Sequence, residues 1–80
     1  MNSLREAAIN LFRKAYLMNI HLQVTKKHFT DGSWYEGQIV PGRRIREGYG
    51  IYSYADGDCY LGQWVADQFE GEGTYIFSTG

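Results

Sequence analysis

The chain has 80 residues, a net charge of −1 and 44% hydrophobic residues, which is enough for one small domain and excludes a disordered tail. Its apolar runs are far shorter than the ~18 residues of a membrane-spanning helix. The single cysteine, Cys59, excludes an internal disulfide and a cysteine-built zinc site, and it favours a cytoplasmic location.

Charge and glycine are distributed unevenly along the chain. All eight Lys and Arg residues precede residue 47, whereas six of the nine acids lie at or after it. All ten glycines lie at or beyond Gly32. We therefore expect two parts, residues 1–28 as a cap or interaction segment and residues 29–80 as a glycine-rich unit. The charge asymmetry favours association with an oppositely charged surface.

Residues 3–18 are predicted to form an amphipathic helix. Ser3 and Glu6 fit a capping box. Apolar residues recur at spacings of three and four, which places them on one stripe. They are Leu4, Ala8, Leu11, Ala15 and Met18, flanked by Ile9, Phe12 and Tyr16. The polar side is formed by Glu6, Asn10, Arg13 and Lys14. The stripe can pack on the rest of the domain, on a partner, or in the interface of an anionic membrane.

Residues 20–25 alternate between apolar and polar types, which predicts a short strand. His21 and His28 have no acidic or cysteine neighbour that would complete a metal site. We expect both to be ordinary polar residues.

Two similar units follow, at residues 33–57 and 58–80. Asp-Gly pairs at 31–32 and 56–57 predict turns between strands. Loops at 40–46 and 65–70 close the hairpins, and the segment 40–46 is two residues longer than its counterpart 65–69. This pattern predicts a meander of about four antiparallel strands, preceded by the weak strand at 20–25.

Alternation along the strands sorts aromatic residues and glycines onto one face. This face holds Tyr35, Gly37, Ile39, Gly48, Gly50, Tyr52, Tyr54, Tyr60, Gly62, Trp64, Gly71, Gly73, Tyr75 and Phe77. Because glycine weakens a strand unless something packs on its backbone, we expect rings to lie over the glycines of neighbouring strands. The rings are either sheet core or a protein-binding groove. The groove residues would be Tyr35, Tyr52, Tyr54, Tyr60, Trp64, Tyr75 and Phe77.

The segments 35–38, 47–57, 60–64 and 70–75 resemble the membrane occupation and recognition nexus (MORN) repeat, whose pattern is Tyr-Glu-Gly-x-Trp, a loop, Gly-x-Gly-x-x-x-Tyr and then Asp-Gly. The resemblance covers residues 30–80. Ile39 departs from it, because it stands where the next unit has Trp64. The resemblance implies a non-catalytic, single-layer twisted sheet of stacked antiparallel β-hairpins, mainly β with one N-terminal helix. It also implies scaffolding, cytoskeleton-linked or phospholipid-binding roles and self-association.

The residues contain no recognisable catalytic set. The Gly-x-Gly pairs at 48–50 and 71–73 lack the third glycine of a phosphate-binding loop. Asp56 and Asp58 flank a turn glycine without further metal ligands, and Cys59 lacks a basic neighbour. We therefore expect no enzyme, no cofactor, no metal and no small-molecule substrate.

The basic loop Arg43, Arg44 and Arg46 is the candidate site for lipid headgroups or other anions; the alternative is a solvated loop. Nucleic acid is disfavoured because phosphate would repel the acidic second half.

We expect a protein-interaction or scaffolding module that self-associates or joins a larger assembly, because strand 71–77 offers an apolar edge for pairing. One alternative is attachment to a phospholipid surface through the basic loop and the helix. A third is a regulatory repeat region of a longer enzyme.

Overall fold

The computed structural model of the chain describes residues 4–17 and 23–78 and contains one helix and five strands. These elements are α1 (Leu4–Leu17), β1 (Gln23–His28), β2 (Trp34–Ile39), β3 (Arg46–Ser53), β4 (Cys59–Val65) and β5 (Gln68–Ile76). The strands form one open antiparallel sheet in chain order. The predicted mainly β fold, with one N-terminal helix and a meander of hairpins, is confirmed.

Several predicted features lie outside the described residues. They are the Ser3 cap, the helix end at Met18, the start of the first strand at Ile20 and the last two residues of the second unit, 79–80. Within the described residues, β1 continues to His28 rather than ending at residue 25. Its last three residues pair with Glu36, Tyr35 and Trp34 of β2, so pairing extends the strand beyond the alternating pattern.

The Asp-Gly turns are built by the aspartate side chains. Asp31 Oδ1 accepts a hydrogen bond from the Ser33 backbone N–H at 2.9 Å, and Asp56 Oδ1 accepts one from the Asp58 backbone N–H at 2.9 Å. The following glycines, Gly32 and Gly57, have φ values of 93° and 97°, which other L-residues rarely adopt. Both predicted turns are confirmed.

The turn between β4 and β5 is shorter than predicted. Only Ala66 and Asp67 separate the two strands, whereas the sequence suggested a loop over 65–70. Their φ values of 50° and 71° match a tight hairpin turn with left-handed residues. Neither residue is glycine, so the usual signal is missing. Contacts from β3 support the turn: the Arg46 N–H donates to Asp67 Oδ1 at 2.8 Å, and the Ala66 N–H donates to Glu47 Oε1 at 3.1 Å.

Helix α1 covers one face of the sheet, over β2 and β3. Ile9 packs with the buried residues Ile51, Cys59 and Leu61. The ring of Phe12 meets that of Tyr49 edge-on, with centroids 6.0 Å apart. The first of the three alternatives for the helix, packing on the rest of the domain, is therefore the observed one.

The buried side of α1 is rotated from the predicted stripe. Ile9 is 6% exposed, whereas Leu11 is 69% exposed. Arg13, expected on the polar side, faces the sheet and donates from Nη2 to Glu36 Oε1 at 3.0 Å. Glu36 is buried, and a buried carboxylate is costly unless it is paired. The Arg13–Glu36 pair and the apolar contacts of Ile9 and Phe12 both lie on the side of α1 that faces the sheet.

Candidate functional site

The face opposite α1 carries aligned rows of tyrosines and glycines. Across the strands, Tyr52 pairs with both Tyr35 and Tyr60, and Tyr60 pairs with Tyr75. The glycine row runs through Gly37, Gly50, Gly62 and Gly73. A Cβ added at Gly50 would lie 2.5 Å from Tyr35 Cε1, and one added at Gly73 would lie 2.5 Å from Tyr60 Oη. The expectation that rings lie over neighbouring glycines is confirmed.

The aromatic residues of this face divide into a floor and exposed walls. Tyr35 and Trp64 are only 2% exposed, and Tyr60 is also buried. Tyr52 and Tyr54 are half-buried, while Tyr75 and Phe77 are exposed. Of the seven predicted groove residues, Tyr35, Tyr60 and Trp64 form sheet core. The other four, Tyr52, Tyr54, Tyr75 and Phe77, are at least partly exposed.

Sequence reasoning missed two rings of this face, Phe29 and Phe69. Phe69 is 50% exposed and packs on Tyr60 and Trp64, with ring centroids 4.2 and 4.5 Å apart. Phe29 stacks on Tyr52 at 6.0 Å and 23°. A signal for Phe29 was present in the repeat, because it precedes Asp31 by two residues as Tyr54 precedes Asp56.

Two adjoining hollows form a groove along this face. The first, about 590 Å³ and here called the basic hollow, is lined by Thr25, Lys26, Lys27, Phe29, Tyr35, Ile39, Arg44, Arg46, Tyr52 and Asp67. The second, about 320 Å³ and here called the aromatic hollow, is lined by Arg46, Tyr52, Tyr54, Trp64, Asp67, Gln68 and Phe69. Both volumes are of the size that holds small ligands or side chains.

The three predicted anion-binding arginines have different environments. Arg46 lies over Trp64, with Cζ 4.3 Å from the ring centroid, and its Nε is 3.0 Å from Asp67 Oδ1. Hydrogen bonds from the Arg46 backbone and side chain hold the pKa of Asp67 below its usual value. Arg44 is exposed and lines the basic hollow, whereas Arg43 is exposed in the same loop and lines neither hollow. The charge of Arg46 is thus already compensated.

The Asp-Gly end of the face is acidic. Tyr75 Oη donates to Asp58 Oδ2 at 2.9 Å, and this hydrogen bond raises the pKa of Tyr75 to about 12. The Ser78 backbone N–H donates to Asp58 Oδ1 at 2.7 Å, which lowers the pKa of Asp58. Asp56 and Asp58 therefore build turns. Among the side chains that the structure describes, no three His, Cys, Asp or Glu residues converge to hold a metal ion.

Comparison with known proteins agrees with this architecture. The profile of the MORN repeat family matches residues 45–59 and 60–80. Residues 45–80 of the chain therefore match MORN repeats. MORN repeats are non-enzymatic units that generally mediate protein or membrane interactions. Among curated proteins, none matches the chain significantly. The helix that the described residues form lacks the length and apolar character required to traverse a bilayer.

Proposed function

We propose that this protein is a non-catalytic MORN-repeat interaction and scaffolding module that binds a segment of a partner protein along its aromatic groove. The observation that carries the proposal is the position of α1. It packs on the face formed by Ile51 and Leu61, and among the described residues nothing covers the groove. The single free cysteine, Cys59, fits a cytoplasmic scaffold, where thiols stay reduced.

The exposed rings supply the binding surface. Phe69 is 50% exposed and Phe77 63% exposed, and Tyr75 is also exposed. Aromatic side chains dominate the energy of protein interfaces because they bury a large area at a small entropic cost. Phe69 is held by the buried rings of Tyr60 and Trp64, whereas Tyr75 packs against Tyr54 and Phe77.

Selection from a displayed library of random 12-residue segments tests the proposal. Segments enriched on the wild-type protein should bind Phe69→Ser or Tyr54→Ser, both in the aromatic hollow, at least about tenfold more weakly, since hot-spot truncation costs about 2 kcal/mol or more. Leu11→Ser is the matched control, because it removes an exposed apolar side chain from the opposite side of the molecule. Enriched segments that bind all three variants like the wild type would refute the groove as the binding site.

Self-association through β5 is favoured by a comparison of repeat positions. Arg46 begins β3 and pairs with Ile39 of β2, whereas Phe69 lies near the start of β5 and pairs with Trp64 of β4. Arg46 and Phe69 are therefore equivalent, and so are the residues that follow them, Glu47 and Glu70. Glu47 accepts a hydrogen bond from the next hairpin turn at Ala66. Glu70 is exposed, and its position is equivalent to that of Glu47. The outer edge of β5 has no paired strand within the described residues, so it is suited to receive a strand from another copy or from a larger assembly.

Phospholipid attachment is the second candidate function, and it is supported by the exposure of Arg43 and Arg44. The helix contributes less than the sequence suggested, because Ile9 is buried against the sheet. Flotation with phosphatidylserine vesicles tests it. An Arg43→Ala/Arg44→Ala variant that floats as well as the wild type, or a wild-type protein that does not float at low salt, contradicts this function.

A further inference from the structure

Strand β1 occupies the position of half a repeat. Thr25 and Lys27 pair with Gly37 and Tyr35 of β2. In the next unit, Gly50 and Tyr52 of β3 pair with Gly62 and Tyr60 of β4 in the same register. Lys27 is therefore equivalent to Tyr52 of β3 and Tyr75 of β5, and Thr25 is equivalent to Gly50 and Gly73.

Two further departures from the repeat lie beside it. Ile39 takes the place of Trp64, and Arg46 takes the place of Phe69, since Ile39 pairs with Arg46 as Trp64 pairs with Phe69. The four departing residues, Thr25, Lys27, Ile39 and Arg46, line the basic hollow. Where later strands have aromatic rings, these positions hold the aliphatic Ile39 and the cations Lys27 and Arg46. The basic hollow is the space that the missing rings leave.

The charges around this hollow are only partly compensated. Asp67 neutralises Arg46, and the Lys26 ammonium lies 3.9 Å from Glu36, a residue that also contacts α1. Within the described residues, Lys27 and Arg44 form no ion pair. Two uncompensated cations therefore face one concave space whose floor is apolar, formed by Tyr35 and Ile39.

We infer that the basic hollow binds a carboxylate side chain of an acidic protein segment, and that the adjoining aromatic hollow receives an apolar side chain of the same segment. This inference rests on the proposed function of the groove as a protein-binding site. Lys27 and Arg44 would contact the carboxylate. The Arg46–Asp67 pair lies between the hollows and is already neutral, so the second hollow selects by shape and apolar contact.

A flat anionic membrane fits this face less well than a peptide. The cations line a concave space. Arg44 and Arg46 lie at the end of the strands opposite Asp56 and Asp58, and Lys27 lies on β1, two strands away from the β3–β4 turn that holds these acids. A membrane lying across the whole face would approach these acids as well, and like charges repel. An extended segment can place its carboxylate in the hollow alone.

The inference is tested with three fluorescein-labelled 12-residue peptides and the full chain. Each peptide carries two phenylalanines and four glutamates, four glutamines or four lysines. At low salt the glutamate peptide should bind the wild type at least about tenfold more tightly than the glutamine peptide. The variant Lys27→Glu/Arg44→Glu should lose at least about tenfold in affinity for the glutamate peptide and should come to prefer the lysine peptide.

The control variant, Ala7→Glu/Leu11→Glu/Lys14→Glu, makes the same change in net charge at exposed residues of α1, outside both hollows. It should bind the glutamate peptide within about twofold of the wild type, apart from long-range effects that salt screens. Circular dichroism melts confirm that each variant is folded. If the charge-reversal variant does not fold, Lys27→Gln/Arg44→Gln replaces it.

Four results would overturn the inference. They are equal binding of the glutamate and glutamine peptides, an equal loss in the control variant, no binding of any peptide, and binding only to phosphatidylserine vesicles that Lys27→Glu/Arg44→Glu abolishes. If all three peptides bind equally well and Phe69→Ser weakens their binding, the proposed function stands and only the acidic ligand is rejected. Failure of the library selection would instead reject the proposed function itself.

Discussion

Replacement of Gly50 by alanine is the most direct test of the packing between tyrosines and glycines. Gly50 lies in the middle of the sheet, between Gly37 and Gly62. An added Cβ would lie 2.5 Å from Tyr35 Cε1 and 2.6 Å from Tyr35 Cζ. Carbon atoms in contact are normally about 3.5–4.0 Å apart, so the ring or the backbone must move by about 1 Å.

The surroundings of Tyr35 make that movement costly. Its side chain is buried, and its Oη donates to the Gln38 carbonyl at 2.7 Å. The ring also meets Trp64 edge-on, with centroids 5.5 Å apart. Overpacking a core costs about 1–3 kcal/mol, and loss of the hydrogen bond adds about 1 kcal/mol. We expect Gly50→Ala to lower the free energy of unfolding by about 2–4 kcal/mol, a large part of the ~4–12 kcal/mol typical of a chain this long.

Urea unfolding followed by tryptophan fluorescence measures the effect. Gly42→Ala is the control, because its Cβ would meet no atom within 4 Å and only a φ of +75° opposes it; it should cost about 1 kcal/mol. In Tyr35→Ala the space is empty, so adding Gly50→Ala should cost much less than it does alone. Additive costs, or a Gly50→Ala protein as stable as Gly42→Ala, would refute the reasoning.

Three further predictions follow from the described contacts. The pKa of Asp67 is lowered by hydrogen bonds from the Arg46 backbone and then its side chain, so the stability it adds is complete above about pH 4 and is lost as the pH falls through the lowered pKa. Between about pH 5 and pH 2, the melting temperature of Asp67→Asn should therefore fall less than that of the wild type. Ile9→Ala should cost about 2–4 kcal/mol in urea unfolding because Ile9 is buried, whereas Leu11→Ala should be nearly neutral; equal costs would contradict the observed orientation of α1. Thr74→Lys places a charge on the edge strand and should reduce the mass measured by light scattering to that of a monomer; a monomeric wild-type protein contradicts self-association.

The repeat region could be predicted because its signals are local. Asp31 and Asp56 each hydrogen-bond a backbone N–H two residues further on, so the turn depends only on neighbouring residues. Alternation between rings and glycines then determines which side chains share a face. A chain with these local signals leaves little choice of strand order in the meander.

The features that escaped prediction depend on contacts distant in sequence. The left-handed turn at Ala66 and Asp67 is held by Arg46 and Glu47, which lie about twenty residues earlier. The side of α1 that faces the sheet includes Arg13, which pairs with Glu36, and helical periodicity does not reveal this pairing. Alternation along the strands predicts that the seven rings share a face, but it does not reveal that Tyr35, Tyr60 and Trp64 are buried while Tyr75 and Phe77 are exposed.

Some residues of the face opposite α1 are common to both repeats, and others differ between equivalent strands. Tyr35 and Tyr60 occupy equivalent positions and cover equivalent glycines, so this interlock is common to both units and cannot distinguish one ligand from another. The positions that differ between units, Lys27, Ile39 and Arg46, lie together around one hollow. Of these three, Lys27 takes part in neither the interlock nor the Arg46–Asp67 pair, so we expect binding specificity to vary there at the least cost in stability.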